Sequence, residues 1–247
     1  MKQIALVSGS SSGIGWSIAE KLANSGYKVW LNGRNAETLD LRVRSLREKG
    51  LQADKVVGDF TVSSSIQVAL KTILTSDSKI DLLVGNLGSG KSLQGWDIPL
   101  EEYQRMFQLN LFAAIDLCTQ VLRTASPKNI VLISSIAGVE SLAAPIPYKV
   151  AKSALLSYMK SLSDSLASQG IRVNAISPGN VLFPGSTWEK KMADNPEGVD
   201  AYIKTAVPLK SFVKPEEIAD AVLFLNNTPS LTGHNLIIDG GQIRRLV

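Results

Sequence analysis

The stretch "IALVSGSSSGIG", Ile4 to Gly15, decides the fold. Its first four residues are apolar and lead into small residues, a pattern typical of a buried strand. Gly9, Gly13 and Gly15 follow in the spacing Gly-x-x-x-Gly-x-Gly. A glycine-rich turn alone is weak evidence, since many plain turns contain glycine. Between a strand and a helix it predicts a dinucleotide-binding unit, because glycines let the backbone approach a phosphate and the helix offers free N–H groups.

Short apolar runs and amphipathic segments alternate along the rest of the chain. This alternation predicts an α/β fold, a doubly wound parallel sheet with helices on both faces and right-handed crossovers. The predicted strands are Ile4–Val7, Val29–Leu31, Lys55–Val57, Leu82–Val84, Ile130–Ile133, Val173–Ile176 and Leu236–Ile238. The predicted helices lie near residues 14–25, 36–49, 62–75, 100–124, 148–168 and 215–226.

One long segment, from Gly179 to Lys214, shows no such pattern and contains several prolines and glycines. A loop of this length in a compact domain usually serves a function. We therefore expect residues 1–247 to form one domain in which residues of about 180–214 act as a lid over a substrate.

The bulk composition narrows the class of protein. The 247 residues are 45% hydrophobic and 19% charged, and the net charge of +4 comes from scattered lysines and arginines. This mild charge gives no reason to expect nucleic-acid binding. The single cysteine, Cys118, excludes an intramolecular disulfide and is expected in the core. No signal-peptide pattern, membrane-length apolar run or metal-ligand cluster stands out, so we expect a cytoplasmic protein without a membrane span or catalytic metal.

The stretch "PYKVAK", Pro147 to Lys152, places a tyrosine and a lysine four residues apart on one helical face. An isolated Tyr–Lys pair is usually a surface contact. A tyrosine ordinarily loses its proton near pH 10, and a cation nearby lowers such a pKa by about 1–3 units. Tyr148 beside Lys152 is therefore a candidate acid/base group if other site residues surround it.

Several further motifs occur in a recognisable order. Ser135 in "ISSIAG" precedes Tyr148 by thirteen residues, Asn110 stands in "FQLNLF", and "IDGG" lies near the chain end. With the glycine-rich turn, these motifs make the sequence resemble the classical short-chain dehydrogenase/reductase family over its whole length. The resemblance implies a Rossmann-type sheet of about seven strands in the order 3-2-1-4-5-6-7, and a homotetramer or homodimer.

The resemblance also implies roles for individual residues. Tyr148 exchanges a proton with the substrate, Ser135 binds the substrate oxygen, and Lys152 also contacts the nicotinamide ribose. Asn110 supports a water that relays protons to Lys152. The cofactor-binding positions that it implies are Gly9, Ser11, Ser12, Gly13, Ile14, Gly15, Asn32, Arg34, Asp59, Phe60, Asn86, Gly88, Tyr148, Lys152, Pro178, Gly179 and Val181.

Two positions depart from the family pattern. The turn after the fourth strand reads "GNLG", with Leu87 where the family has a small residue near the cofactor ribose, and the unusual "SGKS", Ser89 to Ser92, follows. Phe183 stands where the family often has a threonine that contacts the carboxamide. Ser186 or Thr187 are candidate replacements for that hydroxyl, and the backbone of Val181 is another possible anchor.

The cofactor choice rests on "LNGRN", Leu31 to Asn35. An NAD-dependent enzyme usually ends this strand with an acidic residue that binds the ribose hydroxyls. Gly33 occupies that place and Arg34 follows. A guanidinium pairs well with a 2′-phosphate, so the sequence favours NADP over NAD; the alternative is an arginine that only packs over the adenine.

These patterns leave several functions open. The first is an NADP(H)-dependent oxidoreductase that transfers a hydride between nicotinamide and a small carbonyl or alcohol substrate. The second is a 3-oxoacyl-(acyl carrier protein) reductase, and a sugar or nucleotide-sugar oxidoreductase is equally open if Lys190, Lys191 or Lys204 in the lid binds phosphate. A regulator that binds the cofactor without turnover is a remote alternative, because all four catalytic residues that the resemblance implies are present: Asn110, Ser135, Tyr148 and Lys152.

Overall fold

A parallel sheet forms the centre of the computed structural model, which describes residues 2–244. Within these residues seven strands lie in the order β3-β2-β1-β4-β5-β6-β7, so the predicted doubly wound sheet and its strand order are confirmed. The strands are β1 Ile4–Val7, β2 Lys28–Gly33, β3 Ala53–Val57, β4 Leu82–Gly85, β5 Asn129–Ile133, β6 Arg172–Pro178 and β7 Asn235–Ile238.

Helices cover both faces of the sheet, because alternate strand side chains point to opposite sides and both sides are apolar. Val7 belongs to a core shared with helices α1, α2 and α9, whereas Leu6 belongs to a core shared with α3, α5 and α6. The helices are α1 Gly13–Asn24, α2 Ala36–Glu48, α3 Ser63–Asp77, α4 Leu100–Phe107, α5 Ala113–Thr124, α6 Ile146–Leu166, α7 Thr187–Asp194, α8 Pro196–Ala206 and α9 Pro215–Asn227.

The helix predicted over residues 100–124 is interrupted. Helix α4 passes into a π-helical turn at Gln108–Phe112, and α5 begins directly after it. Asn110 lies in this turn and is fully buried. Such turns are uncommon and often occur at functional sites, and the apolar periodicity of the sequence does not reveal them.

The prediction that the segment from Gly179 to Lys214 is irregular is wrong, because this segment contains helices α7 and α8. Each helix begins at a capping side chain: Ser186 accepts a hydrogen bond from the Glu189 amide at 3.0 Å, and Asn195 accepts one from Gly198 at 2.9 Å. Pro196 is the first residue of α8, a position where proline is favoured. The breakers seen in the sequence are therefore helix starts.

The described residues also bear on membrane spans, metal sites and the place of the cysteine. Over residues 2–244, none of the helices combines the length and apolarity needed to cross a membrane. In the same range, no group of three or more His, Cys, Asp or Glu side chains converges in a way that could hold a metal ion. Cys118 is fully buried, as predicted.

Candidate active site

The glycine-rich turn follows β1 at the point where the strand order reverses, since β1 pairs with both β2 and β4. The backbone there is too crowded for larger residues. A Cβ on Gly15 would lie 2.3 Å from the Gly9 carbonyl oxygen, and a ring carbon of Phe183 would lie 2.4 Å from a Cβ on Gly13. Gly9 and Gly13 also have φ values of +58° and +56°, which favour glycine.

The turn after β4 packs directly against the glycine-rich turn. The Asn86 side-chain amide donates to the Gly9 carbonyl at 3.1 Å, and the Asn86 N–H donates to the Ser8 hydroxyl at 2.9 Å. Residues far apart in sequence thus meet at the carboxyl edge of β1 and β4, where open α/β sheets bind their ligands.

The start of α1 has the properties of an anion-binding helix end. Ser12 is its N-cap residue but makes no side-chain capping bond, and the first turn contains no acidic residue. The first N–H groups of the helix therefore remain available, and the helix dipole favours negative charge there. Ile14 packs against the core beneath. Ser12, Gly13 and Ile14 thus fit a cofactor diphosphate, the group that this kind of turn holds.

The end of β2 carries the residues predicted to face the adenosine half of a cofactor. Arg34 is 81% exposed and its guanidinium lies 3.9 Å from the Asp59 carboxylate. Thr61, through its backbone and hydroxyl, holds the pKa of Asp59 below its usual range, and Arg34 contributes less. The Asn32 amide is used internally: its oxygen accepts from Gly9, and its nitrogen donates to Val56 and Gly58. Phe60 is buried in the core.

Sequence reasoning missed a second arginine at this end. The Arg42 Nε donates to the Ser11 carbonyl at 3.1 Å, and its guanidinium lies 4.5 Å from the centre of the Trp16 ring. These contacts hold a cation against the glycine-rich turn. No motif marks Arg42, because its position depends on how α2 packs against α1.

Tyr148 and Ser135 meet at the start of α6. The Ser135 hydroxyl is within hydrogen-bonding reach of the Tyr148 phenol, and it also accepts from the Ala137 N–H at 3.1 Å. Burial raises the pKa of Tyr148, and the bond to Ser135 lowers it by less. The predicted lowering of this pKa by Lys152 is therefore wrong for the structure as it stands.

Lys152 explains this difference. Its ammonium is buried and donates to the Ile133 carbonyl at 2.9 Å, with the Leu87 carbonyl at 3.5 Å, rather than to Tyr148. Burial lowers the pKa of Lys152 to about 8. The lysine is thus fixed between the ends of β5 and β4 and titrates near the physiological range.

Asn110 reaches the same place from the π-helical turn. Its side chain accepts from the Ser89 N–H at 3.0 Å and donates to the Ser89 carbonyl at 3.2 Å. A Cβ on Gly88 would lie 2.5 Å from the Asn110 oxygen and 3.0 Å from the Lys152 nitrogen. Three of the predicted catalytic residues, Asn110, Lys152 and Tyr148, are therefore gathered around one loop after β4, and Ser135 lies near Tyr148.

The segment after β6 approaches the site from the other side. The Gly179 N–H donates to the Ile238 carbonyl at 2.8 Å, which fixes the Pro178–Gly179 pair beside β7. An isolated bridge pairs Val181 with Val213 through bonds made by Asn180 and Leu182. The backbone groups of Val181 consequently point away from that bridge, as alternate residues of an extended chain do.

A cavity lies at the opposite edge of the sheet from these residues. About 650 Å³ in volume, it opens at the amino ends of the strands, where Asp81, Asn129 and Arg172 are among its lining residues. None of the residues predicted to be catalytic or to bind a cofactor lines it. The Arg172 guanidinium donates to backbone carbonyls such as those of Leu225 and Asn226, so it caps the end of α9.

Comparisons with known proteins find relatives that match nearly the whole chain. A family model described as "Enoyl-(Acyl carrier protein) reductase" matches residues 9–242. A 3-oxoacyl-(acyl-carrier-protein) reductase from Synechocystis sp. is 31% identical over 250 residues, which cover 98% of this chain and 97% of that protein.

The chain belongs to the short-chain dehydrogenase/reductase family. A diacetyl reductase, (S)-acetoin forming, from Staphylococcus epidermidis is 28% identical, covering 99% of this chain and all of that protein. Among solved structures, L-sorbose reductase from Gluconobacter frateurii, complexed with NADPH and L-sorbose, superposes with a TM-score of 0.91 at 29% identity, covering 99% and 98% of the two chains. The chain therefore belongs to a family of oxidoreductases that act on carbonyl and alcohol groups.

The two departures from the short-chain dehydrogenase/reductase pattern have structural explanations. Leu87 packs against the core on the α3–α5–α6 side of the sheet, which accounts for its bulk. Phe183 packs against the opposite core and covers Gly13. Ser186 does not replace the missing hydroxyl freely, because it is buried and caps α7.

Proposed function

We propose that this protein is a cytoplasmic NADP(H)-dependent oxidoreductase that transfers a hydride between nicotinamide and a carbonyl or alcohol substrate. One observation carries the proposal: Tyr148, Lys152 and Asn110 converge on the loop after β4, Ser135 lies near Tyr148, and the same edge of the sheet carries the glycine-rich turn. A non-catalytic regulator has no need for this convergence.

In the proposed chemistry, Tyr148 and Ser135 both act on the carbonyl oxygen of the substrate. The bound cofactor supplies the hydride, which becomes the new C–H bond at the carbonyl carbon. Tyr148 donates its phenolic proton to the carbonyl oxygen, whose π electrons form the new O–H bond. Ser135 donates a hydrogen bond to the same oxygen and fixes the carbon for transfer. In the reverse direction the Tyr148 phenolate accepts the proton of the alcohol.

Lys152 and Asn110 support this step in the proposal. The Lys152 ammonium binds a ribose hydroxyl and stabilises a phenolate at Tyr148 after the proton has left. Because the Asn110 amide is bonded to Ser89, its first role is to hold the loop after β4 in place. A water at this turn that relays protons to Lys152 remains part of the proposal.

The proposal also assigns roles to the segment after β6. The backbone of Val181 anchors the carboxamide in place of the hydroxyl missing at Phe183. Residues 1–247 form one domain, and residues 180–214 act as its lid. The bridge between Val181 and Val213 closes this segment at its base, and α7 and α8 share a small apolar cluster with Phe212.

The preference for NADP rests on the charges beside β2. Arg34 is exposed, Arg42 is held at the glycine-rich turn, and Gly33 takes the place of an acidic residue that would repel a 2′-phosphate. The similar L-sorbose reductase was solved with NADPH. NAD remains usable in the proposal with lower affinity.

Arg34→Ala tests this preference. We expect the KM for NADPH to rise more than about tenfold, because a charge-assisted phosphate contact contributes about 1.5–3 kcal/mol. The KM for NADH should change little. Arg123→Ala on α5, a helix on the opposite face of the sheet from α2, serves as the control for loss of one charge. A wild-type protein that binds NADH more tightly than NADPH would contradict the assignment.

The substrate class divides into two candidates. The Synechocystis relative favours a 3-oxoacyl thioester, and the L-sorbose reductase structure favours a keto-sugar. Oxidation of NADPH, followed by the absorbance of the reduced nicotinamide, with ketones, acetoacetyl thioesters and keto-sugars distinguishes them. Turnover of any of these carbonyls supports the proposed function, whereas cofactor binding without turnover of any would favour the regulator.

A further inference from the structure

A buried side chain near the chain end, that of Gln242, joins two distant parts of the 180–214 segment. Its oxygen accepts a hydrogen bond from the Asn180 side-chain amide at 2.9 Å, and its nitrogen donates to the Tyr202 hydroxyl at 2.8 Å. Asn180 and Gln242 are 8% and 6% exposed. Asn180 is the second residue after β6 and Tyr202 lies in α8, so one amide links three separate stretches of the chain.

The backbone on both sides of Gln242 is held by one carboxylate. Asp239 accepts from the Gly241 N–H at 2.8 Å and from the Ile243 N–H at 2.7 Å. Asp239 is itself buried, and its Cα would lie 2.8 Å from a Cβ on Gly179. The turn that carries Gln242 therefore packs directly on Gly179, which is predicted to bind the cofactor.

Asn180, at one end of this link, lies between two residues assigned to the nicotinamide end of the cofactor, Gly179 and Val181. The Asn180 carbonyl accepts from the Val213 N–H at 2.9 Å, and the side chain is bonded to Gln242. Both its backbone and its side chain are thus anchored inside the protein. Because the peptide of Val181 follows directly, its conformation is set before a carboxamide reaches it.

Tyr202, at the other end, belongs to the aromatic cluster of the lid helices. Its ring stacks on Trp188 of α7 with centroids 5.3 Å apart and an interplanar angle of 19°, and Phe212 meets Trp188 edge-on at 5.5 Å. The rings face one another, whereas the Tyr202 hydroxyl is bonded to Gln242. This hydrogen bond therefore attaches the aromatic cluster of α7 and α8 to the turn that holds Asn180.

We propose that Gln242 is a positioning residue that couples the nicotinamide half of the cofactor to the helices of the lid. The inference rests on the proposed function. Gln242 holds Asn180 so that the Val181 peptide anchors the carboxamide, and Tyr202 transmits this order to α8. Coupling of this kind is reciprocal, so a lid in place also favours the bound nicotinamide. The precision matters for hydride transfer, because a displacement of about 1 Å can cost about 10²-fold in rate.

Gln242→Met tests the role of the amide, because it nearly keeps the side-chain shape and removes both hydrogen bonds. Binding of NADP is measured by calorimetry beside that of adenosine 2′,5′-bisphosphate, which lacks the nicotinamide. We expect the affinity for NADP to fall about tenfold, the effect of leaving buried groups unpaired around the anchor. The affinity for the bisphosphate should stay the same, because its phosphates bind at the glycine-rich turn and beside β2.

Asn226→Leu is the matched control, since Asn226 makes the same kind of link at the opposite edge of the sheet. Its oxygen accepts from the Asn129 amide at 3.2 Å, and its nitrogen donates to the Tyr27 hydroxyl at 2.6 Å. Both variants should lower the Tm, but the ratio of NADP affinity to bisphosphate affinity should fall in Gln242→Met alone. A ratio that falls equally in both variants, or in neither, would overturn the positioning role.

Hydrogen exchange tests the coupling to the lid. NADP should slow amide exchange at residues 200–206 of α8 by about tenfold in the wild type, whereas adenosine 2′,5′-bisphosphate should not. Tyr202→Phe keeps the stacked ring and breaks the link, so this slowing should disappear; in the control Tyr27→Phe it should remain. Slowing that persists in Tyr202→Phe would overturn the coupling.

None of these measurements requires turnover, which separates this inference from the proposed function. If the expected affinities and exchange rates are found in a protein that reduces none of the carbonyls, the coupling is supported and the proposed function is contradicted. A wild-type protein that does not bind NADP would contradict both.

Discussion

Lys152 is the residue whose environment sets the pH range of the proposed reaction. Burial lowers its pKa to about 8, whereas burial raises that of Tyr148 above its ordinary value. Between pH 6 and about 10 the Tyr148 phenol therefore keeps its proton, and Lys152 is the group that titrates. A depressed lysine pKa means that the ammonium is present at low pH and is lost as the pH rises through 8.

The reduction reaction should show this loss. We expect kcat/KM for NADPH, which reports groups of the free enzyme, to be level up to about pH 7.5 and to fall above pH 8. Lys152→Arg keeps its charge at every pH of the experiment, so its fall near pH 8 should disappear even if its activity is lower. A wild-type profile that stays level to pH 10 would show that Lys152 is not the titrating group.

Residue identities were predictable from the sequence, but their electrostatics were not. The spacing of Tyr148 and Lys152 indicated a charge one turn away that would lower the tyrosine pKa. The fold instead turns the ammonium toward the carbonyls of Ile133 and Leu87, which come from the ends of two different strands. A helical spacing cannot show which acceptors other elements bring to a side chain.

At the scale of elements, the N-terminal cap of helix α7 fixes where the first helix of the 180–214 segment begins. The Ser186 hydroxyl accepts from the Glu189 N–H at 3.0 Å and from the Phe183 N–H at 3.4 Å. Ser186→Ala should destabilise this turn by about 1 kcal/mol. Hydrogen exchange at residues 188–190 should therefore accelerate by roughly fivefold.

Thr187→Ala is the control for this substitution. Its side chain is exposed and makes no hydrogen bond with the described residues. Equal exchange rates in the two variants, or no change in Ser186→Ala, would show that the cap does not hold α7 in place.

The elements also show where local sequence signals fail. The β-strands and most helices were predicted because apolar periodicity follows from burial on the two faces of the sheet. Helices α7 and α8 were missed because Pro196, Gly185 and Gly198 were interpreted as breakers, although proline favours the first turn of a helix. The π-helical turn at Asn110 was missed because one extra residue in a turn leaves the apolar pattern nearly intact.

At the scale of the whole molecule, strand order and the place of the site followed from the sequence through the family resemblance. Motifs at the ends of β1, β4, β5 and β6 meet because the carboxyl ends of parallel strands share one edge. The contacts of Arg42 with Trp16 and with the Ser11 carbonyl did not follow. They depend on packing between elements that no motif links.

The assembly remains a prediction at this scale. Helices near residues 100–124 and 148–168 are expected to pack against a second copy, as the family resemblance implies. Large apolar side chains on these elements are exposed: Phe112 by 48%, Leu100 by 66% and Val150 by 44%. Light scattering at micromolar concentration should give a tetramer or dimer, and Phe112→Glu should shift it toward smaller species. A wild-type mass of 26.5 kDa would contradict the prediction.

The central claim is that Tyr148 exchanges the proton with the substrate. Tyr148→Phe keeps the ring and removes only the hydroxyl. Tyr158→Phe on the same helix is the matched control, because the Tyr158 hydroxyl lies beside Cys118 and away from the proposed site. The most direct measurement is the turnover number of Tyr148→Phe with the best carbonyl, at an NADPH concentration shown by fluorescence to saturate it. We expect turnover to fall by about 10²–10⁴-fold with NADPH affinity retained. Turnover near that of the wild type would contradict the claim.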